Sequence, residues 1–96
     1  MDDMARIWEY HAAARSVYVA NSVLERLDET IRKTLLSFPM SGRLRPQLGR
    51  GIRSYPVVPY VVFYQTTSKS VEVLRILHGR RNIKPPLMSF LAAVSA

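Results

Sequence analysis

Apolar and aromatic residues recur at helical spacing in the first part of the chain. Between residues 3 and 14 they fall every three or four positions, at Met4, Ile7, Trp8, His11 and Ala12. This is the period of one face of an α-helix. The pattern therefore predicts a first helix over about residues 3–14.

A longer apolar stripe follows and predicts a second helix over about residues 16–37. Ser16 is a residue type that caps helix N-termini, and Pro39 cannot continue a helix. The stripe consists of Val17, Ala20, Leu24, Leu27, Ile31 and Leu35. Most charged residues of this segment lie off the stripe, as expected for an amphipathic helix. The two helices together predict a hairpin whose apolar side packs on another layer.

The pattern changes after the second predicted helix. Residues 38–51 contain Pro39, Gly42, Pro46, Gly49 and Gly51, which is typical of a loop. Three β-rich segments follow, at about residues 51–57, 60–66 and 70–78. The links between them are short, so we predict a three-stranded antiparallel sheet.

Both faces of the third predicted strand carry apolar residues. Regular alternation places Glu72, Leu74, Ile76 and His78 on one face and Val71, Val73, Arg75 and Leu77 on the other. The helical hairpin can cover one face only. We expect the other to be covered by the apolar C-terminal tail, as a short helix or an extended segment, by a partner, or by both. The sequence thus predicts one α+β domain over residues 1–96.

Composition excludes several kinds of site. The chain has no Cys, so it has no disulfide, thiolate metal site or Cys nucleophile. Its two histidines lie far apart in sequence, and we expect neither a metal site nor a cofactor. Asp2 and Asp3 stand where a signal peptide would carry positive charge, and no apolar segment is long enough for a membrane span. We therefore expect a cytoplasmic protein with no membrane contact.

The positive charge is concentrated in the middle of the chain. Residues 1–42 have five basic and six acidic side chains, a net charge of −1. Residues 43–84 have nine basic side chains and one acidic side chain, Glu72, a net charge of +8. Such asymmetry indicates an anionic partner, either nucleic acid or an acidic protein surface, or else a solvated basic face.

Several motifs occur in a fixed order along the same region. They are Gly-Arg at 42–43, Arg-Ser-Tyr-Pro-Val at 53–57, Tyr-Val-Val-Phe-Tyr at 60–64 and Leu-His-Gly-Arg-Arg at 77–81. In order and spacing they resemble the ParE branch of the RelE/ParE superfamily of bacterial toxins. The resemblance extends from about residue 6 to residue 82. Members usually begin with an additional strand, which is absent here, so either the true start lies upstream or the sheet has three strands.

The resemblance implies a toxin that a cognate antitoxin neutralises in a hetero-oligomer. The RelE-like branch cleaves mRNA on the ribosome, whereas the ParE-like branch inhibits DNA gyrase. RelE-like enzymes resemble one another in an Arg after the Tyr of the middle strand and in a Tyr near the C-terminus. Here Val61 follows Tyr60, and no Tyr follows Tyr64. An RNase would retain only His78 and Arg81 as catalytic candidates, so the set is incomplete for RNA cleavage.

We therefore predict a toxin that binds its target, with gyrase as the target and the ribosome or RNA as the alternative. The candidate target-binding residues, joined by Arg50 of the loop, are Arg43, Arg45, Arg53, Arg75, Arg80 and Arg81. They are predicted to converge at one end of the sheet, although Arg75 could instead pair with Glu72 or an antitoxin carboxylate. The candidate antitoxin-binding residues are Tyr60, Val71, Val73 and Leu77. A degenerate toxin that retains only antitoxin binding is the remaining alternative.

Overall fold

The computed structural model describes residues 3–79 and begins with two helices, α1 (Asp3–Ala14) and α2 (Val17–Thr30). The predicted cap of α2 is confirmed. Ser16 has extended backbone angles, and its Oγ accepts a hydrogen bond from the amide of Val19 at 3.1 Å. This bond satisfies one of the amides that a helix start leaves without a partner.

The apolar stripe of α2 continues through a π-helical turn, Ile31–Leu35. Leu27 and Leu35 are both fully buried but are eight residues apart, which would rotate them by about 80° on a regular α-helix. In the π-helical turn the amide of Leu36 donates to the carbonyl of Ile31 at 3.1 Å. This turn contains one residue more than an α-helical turn and so returns Leu35 to the buried side. At the other end Val17 is 55% exposed, so the buried stripe begins at Ala20.

The predicted α+β fold is confirmed, but the sheet has four strands instead of three. They are β1 (Arg43–Leu44), β2 (Arg53–Val57), β3 (Tyr60–Thr66) and β4 (Val71–His78), antiparallel and in the order β1-β2-β3-β4. The additional strand lies in the predicted loop, where Arg43 pairs with Ser54 and Leu44 with Arg53. A two-residue strand has no alternating pattern, which is why the sequence did not indicate it.

The main core lies between the helical hairpin and one face of the sheet. Its buried members are Ile7, Leu27, Leu35, Val57, Tyr60, Val62, Tyr64 and Ile76. Fully burying a large apolar side chain contributes about 1.5–3 kcal/mol, so this layer dominates the stability of the domain. The hairpin is therefore held on β2, β3 and β4, as its apolar stripe predicts.

A β-bulge in β4 corrects the predicted faces of that strand. Phe63 lies opposite Arg75 and Tyr64 lies opposite Val73, so Leu74 is the extra residue. The bulge interrupts the alternation. As a result Val71 and Val73 pack against the helical core together with Ile76, whereas Leu74 and Leu77 belong to a second cluster. The prediction that Leu74 shares a face with Ile76, and Leu77 with Val73, is wrong for this reason.

The second face of the sheet is covered by the loop before β2. Leu48 and Ile52 pack with Phe63, Leu74 and Leu77 in a cluster of buried residues. The sequence predicts this role for the C-terminal tail or for a partner. The predicted tail lies outside the described residues, and in the described part the loop performs the role.

Candidate functional site

Three of the predicted arginines gather at the β1 edge of the sheet. Arg43 is exposed on β1 and pairs in register with Ser54 of β2. The Nε of Arg45 donates to the Ser54 hydroxyl at 2.8 Å, and Arg53 precedes Ser54 in β2. Arg50 is exposed in the following turn. The structure therefore brings part of the predicted set together, at one edge of the sheet.

The loop next to this edge is held by two side chains of the sheet. The hydroxyl of Tyr64, fully buried, donates to the carbonyl of Pro39 at 2.8 Å and accepts from the amide of Gly42 at 2.9 Å. The Nη1 of Arg53 donates to the carbonyl of Gly42 at 2.8 Å and to that of Met40 at 3.3 Å. These bonds fix the backbone of residues 39–42 and thus the position of Arg43.

Gly42 is required at the point where this loop meets the sheet. A Cβ there would collide with the hydroxyl of Tyr64 and would lie 2.9 Å from the carbonyl oxygen of Ser54. The neighbouring backbone leaves no space for a side chain. In the Gly-Arg motif at 42–43, Gly42 therefore lets the loop backbone lie close to Tyr64 and Ser54, and Arg43 places an exposed cation directly after it.

Arg75 does not join the other arginines. It lies on β4, the opposite edge of the sheet, and is 7% exposed. Its Nε and Nη2 donate to the two carboxylate oxygens of Asp3 at 2.7 and 3.0 Å. Burial lowers the pKa of the Arg75 guanidinium below its ordinary value. The predicted convergence is thus wrong for Arg75, and Arg80 and Arg81 lie outside the described residues.

Asp3 is the important residue that the sequence did not reveal. Its carboxylate is 2% exposed, accepts from the amide of Ile76 at 2.8 Å, and contacts Arg6 in addition to Arg75. The alternative predicted for Arg75, a pair with Glu72 or an antitoxin carboxylate, is replaced by the pair with Asp3, and Glu72 contacts Gln65. An acidic residue at a helix start is common, so nothing in the local sequence marks Asp3 as the partner of β4.

A pocket of about 390 Å³ opens between α1 and β4. Its wall includes His78, whose ring meets that of Tyr60 edge-on at 5.7 Å between centroids. The Tyr60 hydroxyl is hydrogen-bonded to Nε2 of His11 at 2.7 Å. Burial, and secondarily the charge of ionised Tyr10, raise the pKa of Tyr60 above its ordinary value. Tyr60 is therefore a neutral phenol near neutral pH. The side chain of His78, at the end of β4, is exposed.

The predicted antitoxin-binding residues do not form one exposed surface. Tyr60 is 7% exposed beneath the helices, and Val71 and Val73 are partly buried against the same core. Leu77 is 6% exposed and packs in the cluster on the opposite face. The bulge at Leu74 is the physical reason that Leu77 separates from the two valines.

Residues 3–79 contain no group of three or more His, Cys, Asp or Glu side chains that could hold a metal ion. They also contain no helix that is both long and apolar enough to cross a membrane.

Comparisons with known proteins agree with this architecture. Residues 1–83 match the family described as the ParE toxin of the type II toxin–antitoxin system, parDE. The chain is 34% identical over 85 residues to Toxin ParE3 of Caulobacter vibrioides, covering 88% of this chain and 84% of the relative. A solved structure titled as the chromosomal ParDE toxin–antitoxin system from P. aeruginosa shares the fold, with a TM-score of 0.65. That match has 19% sequence identity and covers 79% of this chain and 83% of the other.

Proposed function

Because the chain belongs to the ParE toxin family of type II toxin–antitoxin systems, we propose that it acts in the cytoplasm by binding and inhibiting DNA gyrase. We further propose that a cognate antitoxin holds it inactive in a hetero-oligomer. The chain acts in this proposal as a binding protein and not as a nuclease.

The observation that carries the proposal is the organised basic edge at β1 and β2. Arg43 is exposed beside a loop that Tyr64 and Arg53 hold in place. An Arg guanidinium presents several donors in a planar fork that suits carboxylates and phosphates alike. Such an edge fits an acidic patch of gyrase or the DNA that gyrase holds. Arg45 and Arg53 shape this edge and Arg43 and Arg50 extend from it, while Arg80 and Arg81 remain proposed contributors.

The groups near His78 support binding more than cleavage. RNA cleavage without a metal needs a base, an acid and a cation around one phosphate. Val61, at the position where RelE-like enzymes carry Arg, is partly buried against the second cluster. Arg75 is engaged by Asp3. In the described part, the RNase-like candidates are thus reduced to His78, with Arg81 beyond it.

Purified gyrase provides the direct test. Antitoxin-free chain should inhibit supercoiling of relaxed plasmid or accumulate cleaved DNA. Arg43→Glu should weaken the effect about ten-fold or more, because it reverses an exposed charge at the proposed interface. Arg15→Glu, at an exposed position between α1 and α2, is the matched control and should retain activity. Folded wild-type chain with no effect on gyrase would contradict the gyrase assignment.

The alternative function is ribosome-dependent mRNA cleavage. It is favoured by one observation, the edge-on contact of exposed His78 with Tyr60 in the wall of a pocket that Arg6 also lines. Toeprinting on translating ribosomes tests it. We expect no cleavage, and cleavage that His78→Ala abolishes would replace the gyrase proposal. A degenerate toxin would show neither activity and would still bind its antitoxin.

A further inference from the structure

Exposed apolar side chains occur repeatedly from the end of the π-helical turn through β1. Four large apolar side chains within nine residues are more than half exposed: Leu36 at 54%, Phe38 at 67%, Met40 at 67% and Leu44 at 51%. We call these four residues the apolar ridge. Large apolar side chains exposed to this extent within one short segment are uncommon on a protein that works alone, and such exposure marks surfaces that bind partners.

The backbone beneath the apolar ridge is fixed before any partner arrives. Tyr64 bonds to Pro39 and Gly42, Arg53 bonds to Met40 and Gly42, and the amide of Phe38 bonds to the carbonyl of Thr34 at 2.8 Å. A surface that is already ordered loses less conformational entropy on binding. The exposure of Phe38 and Met40 is therefore a property of an ordered surface.

The charge around the apolar ridge selects the chemistry of its partner. No acidic residue occurs between Glu29 and Glu72. Arg43 precedes Leu44 directly, and Arg45 and Arg53 flank it. A second copy of the chain would bring a like-charged surface against this one, which is unfavourable. A segment with apolar residues on one side and carboxylates on the other satisfies both the ridge and the arginines.

The outer edge of β1 favours a protein as the binding partner over a lipid surface. Within the described residues β1 has β2 as its single neighbour in the sheet, so its outer side presents backbone groups that a polypeptide can pair with. Lipid headgroups offer no matching row of donors and acceptors. Arg45 and Arg53 are in addition engaged with Ser54 and the loop carbonyls.

We propose that the antitoxin lays an acidic amphipathic segment on the apolar ridge and against Arg43, and so covers the edge that engages the target. The proposal rests on the antitoxin partner of the proposed function and names its docking surface. It replaces the surface predicted from Tyr60, Val71, Val73 and Leu77, of which Tyr60 and Leu77 are buried in the two clusters and the two valines are partly buried against the first. Neutralisation then follows from competition, because the antitoxin and the target use the same edge.

The test uses the full chain and the purified product of the gene that adjoins its own. The double variant Phe38→Ser/Met40→Ser should lose about ten-fold or more in affinity for this protein, because two exposed anchors are removed. Tyr18→Ser, which truncates an aromatic side chain 80% exposed on α2, is the matched control and should change affinity by less than about two-fold. Circular dichroism of each variant establishes that it is folded.

Assays of gyrase inhibition and of growth arrest distinguish the apolar ridge from Arg43. The Phe38→Ser/Met40→Ser variant keeps Arg43 and should still inhibit gyrase, but co-expression of the adjoining gene should no longer relieve growth arrest. Arg43→Glu should weaken both antitoxin binding and gyrase inhibition. A ridge variant that binds the antitoxin as tightly as wild type overturns the proposal.

The remaining outcomes are also decisive. Wild-type chain that does not bind the adjoining product contradicts the antitoxin part of the proposed function, and the docking surface falls with it. Wild-type binding unaffected by the ridge variant contradicts the docking surface alone. If the ridge substitutions abolish self-association in sedimentation, or binding to phosphatidylglycerol vesicles, and leave antitoxin binding intact, the ridge serves another partner and the proposal is wrong.

Discussion

The Asp3 carboxylate and the Arg75 guanidinium form a buried two-point ion pair, although 72 residues separate them in the chain. The pair joins the start of α1 to the edge strand β4, and the Ile76 amide donates to the same carboxylate. One side chain thus satisfies a cation and a backbone donor at a sheet edge. It also fixes one wall of the pocket that contains His78.

Removing the acid from this pair should be strongly destabilising. Asp3→Asn removes the carboxylate that accepts two hydrogen bonds from the buried Arg75 guanidinium, so we expect the free energy of unfolding to fall by about 3–5 kcal/mol. Urea unfolding followed by circular dichroism measures the change. Asp28→Asn removes the acid of an exposed pair with Arg32 and should cost less than about 1 kcal/mol. Equal losses in the two variants would show that the buried pair does not hold α1 on the sheet.

The Tyr64 hydroxyl should contribute through the loop that it bridges. Tyr64→Phe leaves the amide of Gly42 and the carbonyl of Pro39 without their partner, and we expect a loss of about 1–3 kcal/mol. Hydrogen exchange at the Gly42 amide should also become faster. Tyr18→Phe, at an 80% exposed position, is the control and should leave stability within about 0.5 kcal/mol of wild type. An unchanged exchange rate at Gly42 would contradict the bridging role.

Gly42→Ala should disturb the loop by overpacking. The added methyl meets the Tyr64 hydroxyl and the Ser54 carbonyl, and Ser54 is the residue of β2 that pairs with Arg43 of β1. We expect a loss of about 1–3 kcal/mol in thermal or urea unfolding. Ser41→Ala changes an exposed neighbour and should be nearly neutral. If Gly42→Ala is as stable as Ser41→Ala, the close approach is absent in solution.

Tyr60 should make the stability decrease in alkali. Its pKa is raised in the folded protein, first by burial and then by Tyr10, so the unfolded chain releases this proton at a lower pH than the folded chain. Stability from the neutral phenol is therefore fully present below about pH 10 and is lost as pH rises from there through the folded pKa. Unfolding in urea at several pH values measures the slope. Tyr60→Phe should flatten it, while Tyr18→Phe should leave it unchanged.

The sequence predicted the elements that depend on local patterns. The stripe from Ala20 to Leu35 indicated α2 because each member lies on one side of a helix. Ser16 indicated its start because a hydroxyl before an apolar stripe is a local signal. The α+β layer arrangement followed from the hairpin and the three longer strands.

The missed features depend on pairings that sequence spacing does not encode. Asp3 pairs with Arg75 across 72 positions of the chain, and no local pattern connects the two residues. The bulge at Leu74 shifts the register of one strand against another, and alternation within β4 carries no sign of it. Leu48 did leave a signal, since it is a large apolar residue in a loop rich in Pro and Gly, whereas Ile52 falls in the first predicted strand.

The candidate site was predicted only in part, because some of its residues are brought together by pairing between neighbouring strands and others are not. Arg43, Arg45 and Arg53 come together because β1 and β2 are close in sequence and pair with each other. Arg75 was assigned to them from charge alone, and charge does not report which edge of a sheet a residue occupies. The antitoxin residues were assigned from an alternation that the bulge breaks.

The loop that carries Arg45 and Arg50 also supplies Leu48 and Ile52 to the second cluster. The length and path of the loop are consequently constrained by the interior of the domain, while the side chain of Arg50, exposed between those two anchors, is not. Divergence towards a new target should therefore proceed by exchanging side chains at fixed positions, and insertions in this loop should be rare among functional descendants. The buried anchors thus keep the backbone of this loop constant, and binding specificity can change by single substitutions at its exposed positions.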